Sequence, residues 1–261
     1  MPRSVLKQAS ILQDRDGYDY ANPRVNIVYN AIKAGYRYID GAWDYKNSKE
    51  AGLGVKQAIK EGIVKREDLF ICTKLWNNYH KYKHACEMLD LELEAWGLEY
   101  FDLVLIHFPI ALEFIPFAEL RYPTFWRDRD QKILAHGDKV PTSEAWKALE
   151  DWGDDGNKIR NLGLSNFSAQ LIYDVNSYAK TPVSVLQIEH HPYLTQPELV
   201  KMAQENNIAV IAYSSFGGQS HGVIVKPLLE HPDIVTIAKA HGKTPAQVLL
   251  RWVHYPYVFS S

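Results

Sequence analysis

A carboxylate, an ammonium, a phenol and an imidazole are the chemically suggestive groups of this 261-residue chain: Asp40, Lys74, Tyr45 and His107. Three of them end apolar runs, YRYID at Asp40, LFICTK at Lys74 and DLVLIH at His107, and Tyr45 follows Asp40 within one short loop. Gathered in one place, such groups suit proton transfer to a carbonyl oxygen. A phenol with an ordinary pKa near ~10 is a poor acid at neutral pH, and a neighbouring ammonium favours the phenolate. Lys74 is the candidate neighbour of Tyr45, Asp40 the group that holds Lys74 charged and oriented, and His107 the group that places the carbonyl. Taken singly, a Tyr or His at a strand end is more often packed or solvated than catalytic, and Lys74 with Asp40 reads equally as a structural ion pair.

These side chains need a scaffold that brings strand ends together. Six strand-like runs lie between residues 36 and 214, with helix-patterned segments between them. Val25, Val28, Tyr29 and Ile32 fall at helical spacing before Gly35, and further helices run to Gly62 and Gly97. Ser168, Thr195 or Gln196 before Pro197, and Thr244 before Pro245 are helix-start signals. Parallel strands ending in polar, titratable residues describe an α/β fold, a (β/α)₈ TIM barrel with its chemistry on one rim, and the length is close to the ~250 residues typical of one such domain. Residues 109 to 141, rich in proline and aromatics, are expected to form a folded lid or wall. Residues 1–23 form an atypical N-terminal segment, and 24–261 the barrel domain.

Proton donation alone reduces nothing, so a hydride donor is required. Later strand ends supply contacts suited to a nicotinamide: Ser165, Asn166 and Gln187 for a carboxamide, and Tyr213 to stack on a planar ring. The loop SSFGGQS, with Ser214, Ser215, Phe216, Gly217, Gln219 and Ser220, offers hydroxyls and glycine backbone to a pyrophosphate. There is no G-x-G-x-x-G after a strand, which argues against a Rossmann site. His190 and His191 are adjacent, so on a strand they point to opposite faces, and no metal site is expected.

Bulk composition narrows the classes. Lys plus Arg total 29 and Asp plus Glu 31, a net charge of -2, which offers nucleic acid or an anionic membrane no electrostatic reason to bind. Two cysteines make no disulfide framework, and the opening residues show no sustained apolar stretch, so a cytoplasmic setting is expected. The longest apolar stretch, FDLVLIHFPIALEFIPFAEL, is interrupted by charge and proline and cannot span a membrane.

GYRYIDGAWDY, ICTKLWN, LVLIHFP, LGLSNF and LQIEHHPYL together resemble the aldo-keto reductase family, and LIHFPIALEFIPF with AYSSFGGQS is similar to its fungal D-xylose reductase branch. The resemblance implies NAD(P)H-dependent reduction of an aldose aldehyde to an alditol, with Tyr45 as acid and Lys74 and Asp40 as its tuning pair. It implies His107, Trp76 and Phe108 around the substrate, and NADPH or NADH held by Ser165, Asn166, Gln187, Tyr213 and the 214–220 loop. The expected partner is a small aldose or aldehyde; a homodimer is left open. Residues 1 to 23 do not resemble the family's opening hairpin and first strand, and RWVHYPYVFSS has no counterpart of its basic IPKS-like stretch. The barrel is therefore expected to be incomplete, its first and eighth strands not recognisable, with part of SVLKQASIL and YPYVF the nearest candidates. Two other classes compete: a non-catalytic binding or scaffold remnant of such a barrel, and a metal-dependent barrel hydrolase using Asp40, His107 and Lys74.

Overall fold

The computed structural model describes residues 8–10, 23–123, 139–217, 227–254 and 258–260. Its strands form one parallel sheet in chain order: β1 (Gln8–Ser10), β2 (Tyr38–Asp40), β3 (Phe70–Leu75), β4 (Leu103–Ile106), β5 (Leu162–Ser165), β6 (Val185–Glu189), β7 (Ala209–Tyr213) and β8 (Phe259–Ser260). The helices are α1 (Pro23–Lys33), α2 (Ser48–Lys60), α3 (Tyr82–Trp96), α4 (Thr142–Asp154), α5 (Ala169–Tyr178), α6 (Pro197–Glu205), α7 (Pro232–Ala240) and α8 (Pro245–Val253). Each of β1 to β7 is followed by a helix, with both α7 and α8 ahead of β8, and neighbouring strands are parallel, the plan of the (β/α)₈ barrel. The first strand falls in the segment SVLKQASIL and the eighth overlaps YPYVF at Phe259; they are only 3 and 2 residues long. Each pairs with its inner neighbour, and no ladder joins β1 to β8 among the described residues.

The period of two along each strand divides the apolar residues between two cores. In β3, Ile71 and Leu75 join the large cluster under the helices, while Cys72 and Phe70 join the small cluster inside the barrel. Tyr38, Leu103, Leu105, Val185 and Ile211 complete that inner cluster at the lower end of the strands. One further inward position per strand toward the C-terminal end brings Asp40, Lys74, Ser165, Gln187 and Tyr213. The barrel interior is thus apolar below and polar at the rim.

Helix ends follow local chemistry. α3 stops at Gly97, whose φ of 60° suits glycine, and its N–H bonds back to Leu93. Thr244 and Gln247 form a capping box at α8, and Ser168 Oγ accepts from the Leu171 N–H at α5. Gly52 is required by packing: a Cβ there would sit 2.1 Å from the Trp96 carbonyl oxygen, so α2 lies directly on the end of α3.

Candidate active site

The Asp40, Lys74, Tyr45 and His107 side chains converge as the sequence spacing implies. Lys74 Nζ donates to Asp40 Oδ1 at 2.7 Å, to the Gly41 carbonyl at 3.0 Å and to the Tyr45 hydroxyl at 3.3 Å. Its side chain is completely buried. Burial works against the ammonium, but Asp40, then Tyr45 and Cys72, outweigh it and raise its pKa, so Lys74 is charged. Asp40 also accepts from Gln187 Nε2 at 3.1 Å, which ties the second strand to the sixth across the barrel.

Tyr45 sits in a short 3₁₀ turn, Trp43–Tyr45, directly after β2. Its pKa is raised by burial, and Lys74 pulls it the other way. The ammonium acts in the expected direction, yet the net shift is upward, because removing the phenol from water outweighs one neighbouring charge.

His107 follows β4 and is enclosed by rings. Trp76 lies 5.1 Å away at 70°, Phe108 stacks at 4.9 Å, and Tyr45 meets it edge-on at 6.1 Å. Burial, then Lys74, pushes its pKa well below the usual histidine range, so the imidazole is neutral. A neutral imidazole has one N–H to donate. Trp76 and Phe108, expected beside the substrate, thus both meet His107.

Ser165, Asn166, Gln187 and Tyr213 also meet on the rim, and three of them bond to one another. Asn166 Nδ2 donates to the His107 carbonyl at 2.9 Å and to Ser165 Oγ at 3.1 Å, while its Oδ1 accepts from the Tyr213 hydroxyl at 2.7 Å. Asn166 and Ser214 both adopt the left-handed region, with φ of 65° and 53°, which turns the chain sharply out of β5 and β7. Ser215 is buried, Phe216 is exposed, and Gly217 closes a turn onto Ser214. Gln219 and Ser220 lie outside the described residues. An open cavity of about 570 Å³ adjoins Asn166 and Tyr213, but neither Tyr45, Lys74 nor His107 lines it. Those three side chains gather instead around the rings that enclose His107.

The loop after β4 forms a wall over the range that is described. Phe117 stacks on Tyr79 at 4.6 Å, and Tyr122 meets Trp43 at 5.0 Å. The Arg121 carbonyl accepts from both Trp43 Nε1 at 3.1 Å and Tyr79 OH at 3.3 Å. Residues 124–138 of this loop lie outside the described residues.

Asp44, beside Tyr45, has no signal in the sequence. Burial pushes its pKa up to about 6, against the pull of Lys46. His190 stacks on Trp252 at 5.0 Å and His191 contacts Glu189 at 3.0 Å, on different partners. No cluster of metal-ligating side chains occurs among the described residues. No helix among them is long and apolar enough to cross a membrane.

On the rim of this parallel barrel a buried lysine thus lies between an aspartate and a tyrosine. Residues 13–260 match the Aldo/keto reductase family, and the chain belongs to that family. It is 54% identical over 237 residues to the NAD(P)H-dependent pentose reductase of Pyricularia oryzae, covering 86% of this chain and 72% of that relative. It is 52% identical over 232 residues to a probable NAD(P)H-dependent D-xylose reductase of Emericella nidulans, with coverage of 86% and 72%. Among solved structures, the aldose reductase of Schistosoma japonicum superposes with a TM-score of 0.82 at 30% identity, over 96% of this chain and 76% of that one. A Bombyx mori aldo-keto reductase solved in complex with NADP gives 0.80 at 31% identity, over 98% and 78%.

Proposed function

We propose that this chain reduces the open-chain aldehyde of a xylose-type aldose to its alditol, using NADPH or NADH. The observation that carries the reading is Lys74 Nζ held between Asp40 at 2.7 Å and the Tyr45 hydroxyl at 3.3 Å on a barrel rim. The relatives' names point to the same substrate class and cofactor.

The rim fits a nicotinamide. Tyr213 offers an aromatic face at the end of β7, and Ser165, Asn166 and Gln187 bring hydroxyl and amide groups suited to a carboxamide at the ends of β5 and β6. When bound, the cofactor supplies the hydride. The Ser214–Gly217 turn, with Gln219 and Ser220 following in the sequence, is assigned to its pyrophosphate.

The chain's own residues manage the proton and the orientation. The neutral His107 donates one hydrogen bond to the substrate carbonyl, and the Trp76 and Phe108 rings wall that position. The Tyr45 hydroxyl gives its proton to the carbonyl oxygen as negative charge grows there. The Lys74 ammonium stabilises the phenolate left behind, and Asp40 fixes the ammonium. Because these groups are already packed and bonded, little reorganisation accompanies the step.

The test is NADPH oxidation on xylose by the chain as it stands, with fluorescence-quenching titration of NADPH alongside. Turnover and saturable quenching are expected. Quenching without turnover on any pentose would leave a nucleotide-binding barrel and refute the reductase reading.

A further inference from the structure

Glu92 lies on α3, outside the barrel, and is completely buried, yet it forms no ion pair among the described residues. Its Oε1 accepts three hydrogen bonds: from Thr73 Oγ1 at 2.7 Å, Ser48 Oγ at 2.9 Å and Trp96 Nε1 at 3.0 Å. Its Oε2 is buried without a partner. Burial raises its pKa against the pull of those donors. The Arg121 charge pulls in the same direction as the donors. Burying a carboxylate is costly unless hydrogen bonds and charge compensate it.

Each donor leads into the candidate active site. Ser48 opens α2, three residues after Tyr45. Thr73 immediately precedes Lys74 on β3 and faces the opposite side of the sheet. The Trp96 ring presses on Gly41, where a Cβ would come within 2.5 Å of it. The Gly41 carbonyl in turn accepts from Lys74 Nζ at 3.0 Å, and its N–H donates to the Cys72 carbonyl at 2.9 Å. One carboxyl oxygen therefore ties together the segments that carry the phenol, the ammonium and the backbone carbonyl holding that ammonium. An apolar side chain of similar length would fill the space but leave three buried donors without an acceptor.

We propose that Glu92 is a positioning residue that sets the Tyr45–Lys74 geometry from behind the sheet, acting through Ser48, Thr73 and Trp96. The proposal rests on the reading of Tyr45 as the acid. The plainer alternative is a clamp that only holds α2, α3 and β3 together.

The experiment measures kcat and KM for xylose reduction, NADPH affinity by fluorescence quenching, and melting temperature, on Glu92→Gln, Glu92→Met and Ser48→Ala, with Tyr45→Phe as reference. Glu92→Gln keeps a carbonyl acceptor and should turn over close to the parent. Glu92→Met should lower kcat roughly 10- to 100-fold, since a ~1 Å misplacement can cost ~10²-fold, with NADPH affinity unchanged. If the Met variant does not fold, Ser48→Ala removes only the strut to the Tyr45 loop and should still lower kcat at unchanged NADPH affinity. Folded Met or Ala variants with parental kcat and a lower melting temperature would overturn the proposal in favour of the clamp. Glu92→Gln losing turnover as severely as Glu92→Met would overturn it too. Parental turnover in Tyr45→Phe would overturn the functional reading, and this proposal with it.

Discussion

Replacing Lys74 with methionine isolates the charge that the site is built around. The ammonium stands 3.3 Å from the Tyr45 hydroxyl. Unit charges at that separation interact by about 5 kcal/mol at an effective dielectric near ~20. If about half a charge has developed on the phenol oxygen in the transition state, Lys74 contributes about 2.5 kcal/mol, or a rate loss of roughly 10²-fold on its removal. The pH profile carries a second signature. A general acid works in its protonated form, so activity is held below its pKa and lost above it. Burial already raises the pKa of Tyr45 and Lys74 opposes that rise. Lys74→Met must therefore move the alkaline limb of the kcat profile to higher pH while lowering the plateau. It also leaves Asp40 buried without its partner, which costs about 3–5 kcal/mol of stability. Asp40→Asn/Lys74→Met should recover much of that stability but not the rate. The assay is NADPH absorbance against pH, beside thermal melts of the single and double variants. A parental plateau with an unshifted limb would refute the argument and leave Lys74 as half of a structural ion pair.

Tyr45→Phe keeps the ring and removes the proton, so carbonyl reduction should fall by ~10²–10⁴-fold with NADPH binding nearly unchanged; steady-state kinetics and quenching titration check it. His107 should show no titration between about pH 5 and 8, because burial and Lys74 hold it neutral; an NMR imidazole shift moving near the usual histidine pKa would contradict this. Asp44 has a folded pKa of about 6, above its ordinary value of 3.8. Stability is therefore lost as pH rises between those values, and Asp44→Asn should gain melting temperature over the parent above pH 6 and lose that advantage below pH 4. Gly52→Ala should destabilise the fold by at least ~1–3 kcal/mol in denaturant titration, because its methyl must displace the Trp96 backbone.

The six inner strands and three of the four convergent side chains, Asp40, Lys74 and His107, were legible because both express a period of two; Tyr45 was legible from its place in the short loop after Asp40. Apolar runs ending in a polar residue put that residue inward at the rim. The helix starts at Ser168 and Thr244 and the stop at Gly97 were readable for local reasons of capping and backbone freedom. Helix α7 gave little signal, and only Ala238 of its nine residues is buried. The first and eighth strands are too short to show alternation. The net direction of the Tyr45 shift was not visible, because spacing reveals a neighbouring lysine but not the depth of burial. Glu92 sits in LELEAW, which reads as a solvated helix face; its role depends on Ser48 and Thr73, 44 and 19 residues away.

The two hydrogen bonds that the Arg121 carbonyl accepts have an evolutionary consequence. Besides their ring contacts with Phe117 and Tyr122, Trp43 and Tyr79 hold the backbone of the loop itself. Every residue type carries that carbonyl, so a change at position 121 would keep these two bonds and lose only the guanidinium's contacts with the Trp43 and Tyr122 rings. Neighbouring positions whose side chains hang from the same fixed backbone are then free to be sampled for new shapes of substrate. Lineages can retune what the barrel accepts by ordinary point mutation, while Tyr45, the proposed proton donor two residues beyond Trp43, stays where it was.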